Sequence, residues 1–407
     1  MRGEDTRCRP ASSDARHLWA GRESSPSPQR FLGSTRHGQR AMTKSALLIG
    51  GTGPTGPAIA AGLEARGFDL TILHSGRHEV PEVARFGHIH GDPFSEQGLR
   101  AALSDRSFDV AIASYGRLRS IAAVLAGQAG RLLSIGGAPV YRGFFNPAVY
   151  RPPGLPVPVR EDSELATEEE DGKSYRIARS EQLLFETHPA ATHFRFPYIY
   201  GPRQLAPREW CFVRRILDRR PFVIVPDDGL SLIPFGYADN LAHAVLLAVE
   251  QPAASQGEIF NCGDDEQLTI RQVAELVTEE LGHDWELLPM PANLAVPARP
   301  LMMNYRSTHR VLDTSKLRER LGYRDVVPAR LAVRAAARWL VENRPTRGGY
   351  EETALQDPFD YGAEDRLASW WRAAVADPPD LGYVELPGYG KSYAGPGTRN
   401  VRTKTRI

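Results

Sequence analysis

The chain has 407 residues, 42% of them hydrophobic, which is enough for one large α/β domain and a smaller lobe. A formal net charge of +1, with no long block of like charge, argues against nucleic-acid binding by bulk electrostatics. No apolar run reaches the roughly 18 residues that a membrane span needs. Cys8, Cys211 and Cys262 show no disulfide or CxxC spacing, which favours a reducing, cytoplasmic location.

Residues 1–41 differ from the rest of the chain. They are rich in Arg, Ser, Gly and Pro and poor in long apolar side chains, so they cannot bury enough surface to fold alone. They lack the apolar core of a secretory signal, and their acidic residues argue against a transit peptide. We interpret them as a disordered leader, or as an upstream extension of a protein that starts at Met42.

From residue 44 onward, strand-like and helix-like segments alternate. This alternation predicts an α/β fold, a Rossmann-type doubly wound parallel sheet, over residues 44–345. The predicted strands of the sheet are 45–49, 70–73, 87–90, 109–113, 131–135 and 192–196. The smaller C-terminal substrate-binding lobe is expected mainly in 203–235 and 258–345. Residues 346–407 form an aromatic, Gly/Pro-rich C-terminal extension to which the sequence assigns no role.

A glycine-rich turn follows the first predicted strand and precedes a helix-like stretch. Its residues are Gly50, Gly51, Thr52, Gly53, Pro54, Thr55 and Gly56. Without Cβ atoms the backbone approaches phosphates closely, and the helix N-terminus directs free N–H groups and a positive dipole end at them. The arrangement predicts a bound dinucleotide pyrophosphate.

A second candidate feature lies on the helix predicted at 174–186. Tyr175 and Arg179 are four residues apart and therefore share one helix face. A permanent cation favours phenolate, which suits Tyr175 as a general acid/base for a hydroxyl or carbonyl substrate. A surface Tyr/Arg pair on an amphipathic helix is the alternative.

Several segments together resemble the extended short-chain dehydrogenases, the NAD-dependent epimerase/dehydratase group. They are the glycine turn, Gly91-Asp92, and the segments 133–141, 195–203, 237–242, 261–263 and 311–323. The resemblance runs from about residue 44 to 340. It implies NAD(P) binding, with Asp92 at the adenine and Pro197 also near the cofactor. It also implies hydride transfer on a small-molecule substrate and the possibility of a homodimer.

The resemblance also assigns the catalytic positions, and two of them depart from the family pattern. Tyr175 falls at the family's catalytic tyrosine, but Arg179 replaces the lysine and Gly137 replaces the serine or threonine. Ser134 lies three residues before Gly137 and is expected to bond to the backbone. Gly137 and Tyr141 remain weak candidates for contact with substrate.

The end of the second strand bears on the choice of cofactor. An acidic residue there would bind the ribose hydroxyls of NAD, but the chain has His74, Ser75 and Arg77. Arg77 with its neighbours suits a 2′-phosphate, which favours NADP over NAD. The alternative is that these are exposed loop residues.

No metal site is predicted. His88 and His90 alternate on a strand, but no carboxylate or cysteine set accompanies them at ligand spacing, so we interpret them as structural.

Substrate signals are weaker. In many members of the family that the chain resembles, an arginine just before the segment that corresponds to Tyr237–Asp239 binds the diphosphate of a nucleotide sugar. The stretch 230–236 has no arginine, which weakens a nucleotide-sugar interpretation. Trp210 and Arg214 share a helical face and could line the pocket or only pack. The sequence therefore predicts an NAD(P)-dependent oxidoreductase or epimerase-type enzyme. The alternative is a catalytically impaired dinucleotide-binding protein that senses redox state or acts as a scaffold.

Overall fold

The computed structural model describes residues 43–302 and 307–380, so the leader prediction for 1–41 and the last part of the extension lie outside the described residues. A seven-stranded, all-parallel sheet forms its centre, which confirms the predicted fold class. In spatial order the strands are β10 (Ile259–Asn261), β6 (Thr192–Phe196), β5 (Ala129–Gly137), β4 (Phe108–Ala113), β1 (Ser45–Ile49), β2 (Asp69–His74) and β3 (Gly87–His90).

Helices cover both faces of this sheet, and further helices belong to the smaller lobe. The helices are α1 (Gly56–Ala65), α2 (Glu96–Leu103), α3 (Leu118–Leu125), α4 (Gly172–Thr187), α5 (Trp210–Leu217), α6 (Ala238–Glu250), α7 (Pro252–Ser255), α8 (Ile270–Leu281), α9 (Ser315–Leu321), α10 (Ala329–Glu342), α11 (Tyr350–Leu355) and α12 (Tyr361–Val375). Alternate β1 residues pack on opposite layers, Leu48 with α1 and α6, and Leu47 with α2, α3 and α4. Both faces of the sheet are therefore buried. None of the described helices is long and apolar enough to cross a membrane.

The smaller lobe has its own apolar core. Two short parallel pairs belong to this half of the chain, β7 (Tyr198–Tyr200) with β9 (Phe235–Tyr237) and β8 (Phe222–Pro226) with β11 (Glu286–Met290). Leu355, Phe359 and Ala368 from the C-terminal extension pack into the same core as α5, α8 and α10. The described part of the extension is thus built into the lobe.

Buried charges fasten this extension. The guanidinium of Arg215 on α5 donates to Asp357 and to Glu364, and all three side chains are buried. A buried ion is costly unless it is paired and hydrogen-bonded, so these contacts specify where α11 and α12 dock.

Candidate active site

The glycine turn has the backbone geometry that the sequence predicts. Gly50 and Gly51 have φ values of 110° and 82°, a region that favours glycine. A Cβ at Gly56 would lie 2.2 Å from the carbonyl oxygen of Gly51, so helix α1 begins in direct contact with the turn. A Cβ at Gly53 would meet nothing within 4 Å. The turn is therefore open outward at the α1 N-terminus, and its shape fits a pyrophosphate.

Two exposed aromatic side chains, which sequence reasoning missed, stand at the ends of β3 and β4. Phe94 and Tyr115 form an edge-to-face pair with ring centroids 5.1 Å apart. Asp92 precedes them and accepts a hydrogen bond from the Phe94 amide. Tyr115 also borders Gly50, since a Cβ there would lie 3.0 Å from that of Tyr115. The available signal was an aromatic residue within four positions of the end of each strand, Phe94 after β3 and Tyr115 after β4.

At the end of β2, the predicted ribose-binding residues have different surroundings. His74 is buried, whereas Ser75 and Arg77 are exposed. The Arg77 side chain forms no hydrogen bond or ion pair with a described residue, so it is available to a ligand. Burial, with the neighbouring His88 and His90, lowers the pKa of His74.

A carboxylate lies close to His90, although the spacing in the sequence does not indicate one. The sequence shows no carboxylate at ligand spacing from His90, but the fold brings Glu79 to it, with Oε1 3.6 Å from His90 Nε2. The β2–β3 loop folds back on the strand ends, which linear spacing does not reveal.

On helix α4, Tyr175 is half-buried and Arg179 is exposed. Arg179 is paired with Glu186 at 2.9 Å and donates to Gln182 at 3.2 Å. The Tyr175 hydroxyl has no hydrogen-bond partner among the described residues. The buried stripe of α4 consists instead of Ser174, Ala178, Glu181 and Leu184. The predicted contact between Tyr175 and Arg179 is therefore not formed, because acidic and amide groups on the same stripe bind the guanidinium.

A different α4 face points to the end of β5. Lys173 lies with its Nζ 4.8 Å from the ring centroid of Phe145, and Ile177 packs with the apolar cluster around Phe144. Lys173 and Ile177 are four residues apart and share a face, whereas Tyr175 is about 200° around the axis from each. Lys173 is thus a candidate site residue that the sequence interpretation missed, because only the rotation of α4 in the fold shows which of its faces lies beside Phe145.

The carboxyl end of β5 leads directly into this region. Gly137 is the last β5 residue, and it pairs in register with Phe196 of β6. Pro197 follows Phe196 at the start of the partly buried segment that leads into β7. Gly137 and Pro197 are therefore neighbours at the sheet edge where ligands of parallel α/β folds bind.

A buried polar network accounts for the hydrogen bonds of Ser134 and Tyr141. Ser134 Oγ is 2.7 Å from His193 Nδ1, so its expected backbone bond is wrong. The other nitrogen of His193 is 3.0 Å from Glu181, whose second oxygen accepts from Arg195 at 2.8 Å. Arg195 also donates to the Tyr141 hydroxyl at 2.8 Å. This network joins α4 to β5 and β6 and is closed to substrate.

Tyr141 belongs to that network rather than to a substrate surface. It is 1% exposed, and its hydroxyl donates to Asn261 at 2.5 Å. Burial raises the pKa of Tyr141 to about 12, which Arg195 only partly offsets. The candidate substrate contact at Tyr141 is therefore wrong, because the fold buries its only polar atom.

Trp210 and Arg214 contact the C-terminal helices. Trp210 Nε1 donates to Glu352 at 2.9 Å, and Arg214 pairs with the same carboxylate at 2.5 Å. The Arg214 guanidinium also lies 3.9 Å from the Phe359 ring centroid. Their substrate assignment is not supported, and packing, the alternative left open by the sequence, accounts for both.

Two arginines without ion-pair partners mark another part of the lobe. Arg310 is 2% exposed, and its Nη2 has no hydrogen-bond partner; Nη1 of Arg208 is likewise buried and unpartnered. The Arg208 guanidinium lies 3.6 Å from the Tyr198 ring centroid. Burial lowers the pKa of Arg310 to about 10, and the charge of Arg208 contributes. Neither cation is paired with a described carboxylate.

Long-range folding, not local sequence, assembles this arginine pair. The amide of Arg310 donates to the Leu232 carbonyl at 2.9 Å, which places a basic residue beside the 230–236 stretch that lacks one. Arg310 Nε also donates to the Phe144 carbonyl at 2.7 Å, next to Phe145 and Lys173. The pair therefore borders the same region as the carboxyl end of β5.

Comparison with known proteins finds a family match over part of the chain. The sequence profile described as the NAD dependent epimerase/dehydratase family matches residues 181–263. UDP-D-apiose/UDP-D-xylose synthase 1 of Arabidopsis thaliana is 41% identical over 85 residues, 20% of this chain and 22% of that protein. The chain thus spans about a fifth of the length of this curated relative. A 3-diazoavenalumate denitrifying reductase of Streptomyces sp is 22% identical over 306 residues, 70% of this chain and 96% of that protein.

Solved structures show the same fold. The Bordetella bronchiseptica enzyme WbmG in complex with NAD is 18% identical, with a TM-score of 0.58 over 75% of this chain and 96% of that one. UDP-glucose 4-epimerase of Thermotoga maritima with UDP-glucose is also 18% identical, with a TM-score of 0.58 over 74% and 100%. The sequence match is thus to the NAD dependent epimerase/dehydratase family over residues 181–263, and the solved structures show that the chain shares their fold.

Proposed function

We propose that the protein is an NAD(P)-dependent enzyme of the epimerase/dehydratase type that acts on a hydroxyl or carbonyl carbon of a small molecule. The observation that carries the proposal is the glycine turn, which is open at Gly53 and lies at the carboxyl end of β1. The bound dinucleotide would supply hydride chemistry. The turn and the α1 N-terminus would hold the pyrophosphate, and Asp92, Phe94 and Tyr115 would border the adenine.

An anionic substrate, with a nucleotide sugar as the leading class, fits the lobe. Arg208 and Arg310 each keep an unpartnered guanidinium nitrogen, and a buried unpaired cation is costly unless a ligand neutralises it. The relatives named as UDP-sugar synthases and a UDP-glucose-bound epimerase support this class. The absence of an arginine in 230–236 therefore no longer argues against a nucleotide sugar, because the fold places Arg310 beside this stretch.

Proton exchange is proposed at the first turns of α4. Tyr175, with Arg179, is the candidate from the sequence pattern, and Lys173 is the candidate from the direction of the helix face. Both carry a group able to exchange a proton with a substrate oxygen. Ile177 completes the Lys173 face and would help to exclude water beside Phe145.

The experiment incubates the purified chain with NADH or NADPH and a panel of UDP-sugars and carbonyl compounds, with cofactor absorbance and sugar products as readouts. Loss of turnover in Tyr175→Phe, with cofactor affinity retained, would support the sequence candidate. The same loss in Lys173→Met would instead support the structural candidate. Full activity in both variants would overturn the assignment of proton exchange to α4.

The second candidate function is dinucleotide binding without turnover. It is favoured by the pairing of Arg179 with Glu186 and by the absence of a hydroxyl at Gly137. Tight binding of NADH or NADPH, measured by calorimetry, with no product from any panel member, would support it. Any turnover that depends on a residue of the α4 face would exclude it.

For the cofactor, we propose NADP as the better fit, through Arg77 with Ser75; His74, the third sequence candidate, is buried and both of its ring nitrogens are already hydrogen-bonded. Arg77 is exposed and has no described partner, as a 2′-phosphate ligand requires before binding. Arg77→Ala should then weaken NADPH about tenfold, consistent with loss of one charge-assisted contact, and leave NADH unchanged. An equal effect on the two cofactors would favour NAD, which is the cofactor named in the WbmG structure.

A further inference from the structure

Three histidines collect at the carboxyl ends of β2 and β3. The parallel register pairs His74 with His90 and Ile72 with His88, which places the three imidazoles on one face of the sheet edge. The His74 ring stands edge-on to both others, with centroids 4.9 Å and 5.0 Å away. Glu79, from the loop between the strands, reaches the outer side of this group.

A chain of hydrogen bonds fixes how His74 is oriented. His88 Nε2 lies 3.0 Å from the Val83 carbonyl, which can only accept, so that nitrogen carries the proton. His88 Nδ1 is then the acceptor for His74 Nε2 at 2.7 Å. The remaining His74 nitrogen, Nδ1, is an acceptor and receives the Gly76 amide at 3.1 Å. His74 therefore offers a lone pair towards the exposed loop.

We propose that His74, Glu79 and His90 bind one divalent ion of the borderline type, with Zn²⁺ as its representative. One ligand atom from each side chain lies within 4.8 Å of the other two. Tetrahedral zinc with bonds of about 2.1 Å needs ligand atoms about 3.4 Å apart. Glu79 and His90 are 62% and 61% exposed and already 3.6 Å apart, so small side-chain rotations close the site.

The surroundings of His74 suit a ligand role. A metal-bound imidazole commonly donates its other N–H to a fixed acceptor, and His88 is that acceptor here. Binding requires the Gly76 amide to leave His74 Nδ1. Gly76 is exposed and has a φ of 75° in a short loop, so this amide can turn without disturbing the core.

The test uses the full, untagged chain after chelator treatment and without dinucleotide, so its result does not depend on the proposed enzymatic activity. Zn²⁺ alone is titrated by calorimetry against a chelating competitor, and Co²⁺ absorption reports the coordination. Glu79→Gln and His90→Ala should each weaken one Zn²⁺ site at least tenfold. His78→Ala, a neighbouring exposed histidine outside the group, should not change it.

His88 is proposed as a positioning residue. Its replacement by Asn should weaken Zn²⁺ by about 10–100-fold and change the Co²⁺ spectrum while the chain stays folded. The proposal is overturned if Glu79→Gln and His90→Ala bind Zn²⁺ as the wild type does, if His78→Ala loses as much, or if the wild type shows no site.

Discussion

The two ends of the proposed dinucleotide site differ in how far local sequence determines them. At the pyrophosphate end, the glycines of the β1–α1 turn have the backbone angles and the close helix contact that their spacing predicts. At the α4 end, Tyr175 and Arg179 have the spacing of one helix face, but that face is not the buried one, and Arg179 pairs with Glu186. A backbone turn is encoded within seven residues, whereas a catalytic group depends on how a whole helix is rotated.

The rotation of α4 is set by charges rather than by apolar residues alone. Glu181 is buried between His193 and Arg195, so it holds α4 against β6 in one angular position. That position turns Lys173 towards Phe145 and leaves Arg179 to pair with Glu186. The angular position of α4 therefore depends on Glu181.

Glu181→Gln should have the largest effect on stability. Removing one partner of a buried ion pair leaves Arg195 unpaired, which costs about 3–5 kcal/mol in the free energy of unfolding. Urea denaturation measures the loss. Glu186→Gln on the same helix is the matched control, because its ion pair is exposed. Equal losses in the two variants would show that Glu181 does not anchor α4.

The same residue predicts an acid dependence. Burial alone would raise the pKa of Glu181, but His193 and Arg195 outweigh it, and the pKa is lowered. A carboxyl with a lowered pKa in the folded state stabilises above its unfolded value of 4.5 and loses that contribution as pH falls through the folded value. Wild-type stability should therefore fall more steeply below pH 4.5 than that of Glu181→Gln; parallel profiles would contradict this.

Gly56→Ala and Gly53→Ala test the pyrophosphate end. At Gly56 the new Cβ meets backbone at 2.2 Å, so overpacking should cost about 1–3 kcal/mol and abolish dinucleotide binding. At Gly53 the Cβ meets no protein atom, so stability should be unchanged while NADPH affinity falls about tenfold, worth 1.4 kcal/mol. Unchanged affinity in Gly53→Ala would place the phosphates elsewhere.

Arg208→Met tests the lobe beside the α4 end. If Arg208 and Arg310 receive an anion, pyrophosphate should raise the Tm of the wild type and raise that of the variant much less. A loss of about tenfold in pyrophosphate affinity is expected for one charge-assisted contact. Arg219→Met, which removes an exposed cation beyond the other end of α5, should behave as the wild type. An equal loss there would indicate bulk charge only.

The predicted elements succeeded because their signals are local. β1, β3 and β6 have the predicted bounds, because a glycine or proline directly follows each strand: Gly50, Gly91 and Pro197. β1 is in addition apolar on both faces, as expected of a strand that helices cover on both sides.

The site residues that were missed depend on contacts distant in sequence. Arg310 reaches the 230–236 stretch through a bond to Leu232, and Glu79 reaches His90 through a loop that turns back. Ser134 was expected to bond to the backbone, but a histidine 59 residues later is its partner. Glu186 is the exception: it stands on the Arg179 stripe, so helical spacing alone contained the competing pair.

Glu186→Gln gives the smallest effect and separates the two interpretations of α4. The exposed ion pair between Glu186 and Arg179 should contribute only about 0.2–1 kcal/mol to the free energy of unfolding. High salt should remove most of this contribution, because it screens exposed charges. Releasing Arg179 leaves turnover unchanged if Lys173 exchanges the proton, because Arg179 then has no part in the site. If Tyr175 works with Arg179, the released guanidinium is free to approach the phenol, and kcat should rise with KM unchanged. Steady-state kinetics on the best substrate of the panel, at low and high salt, distinguishes these outcomes.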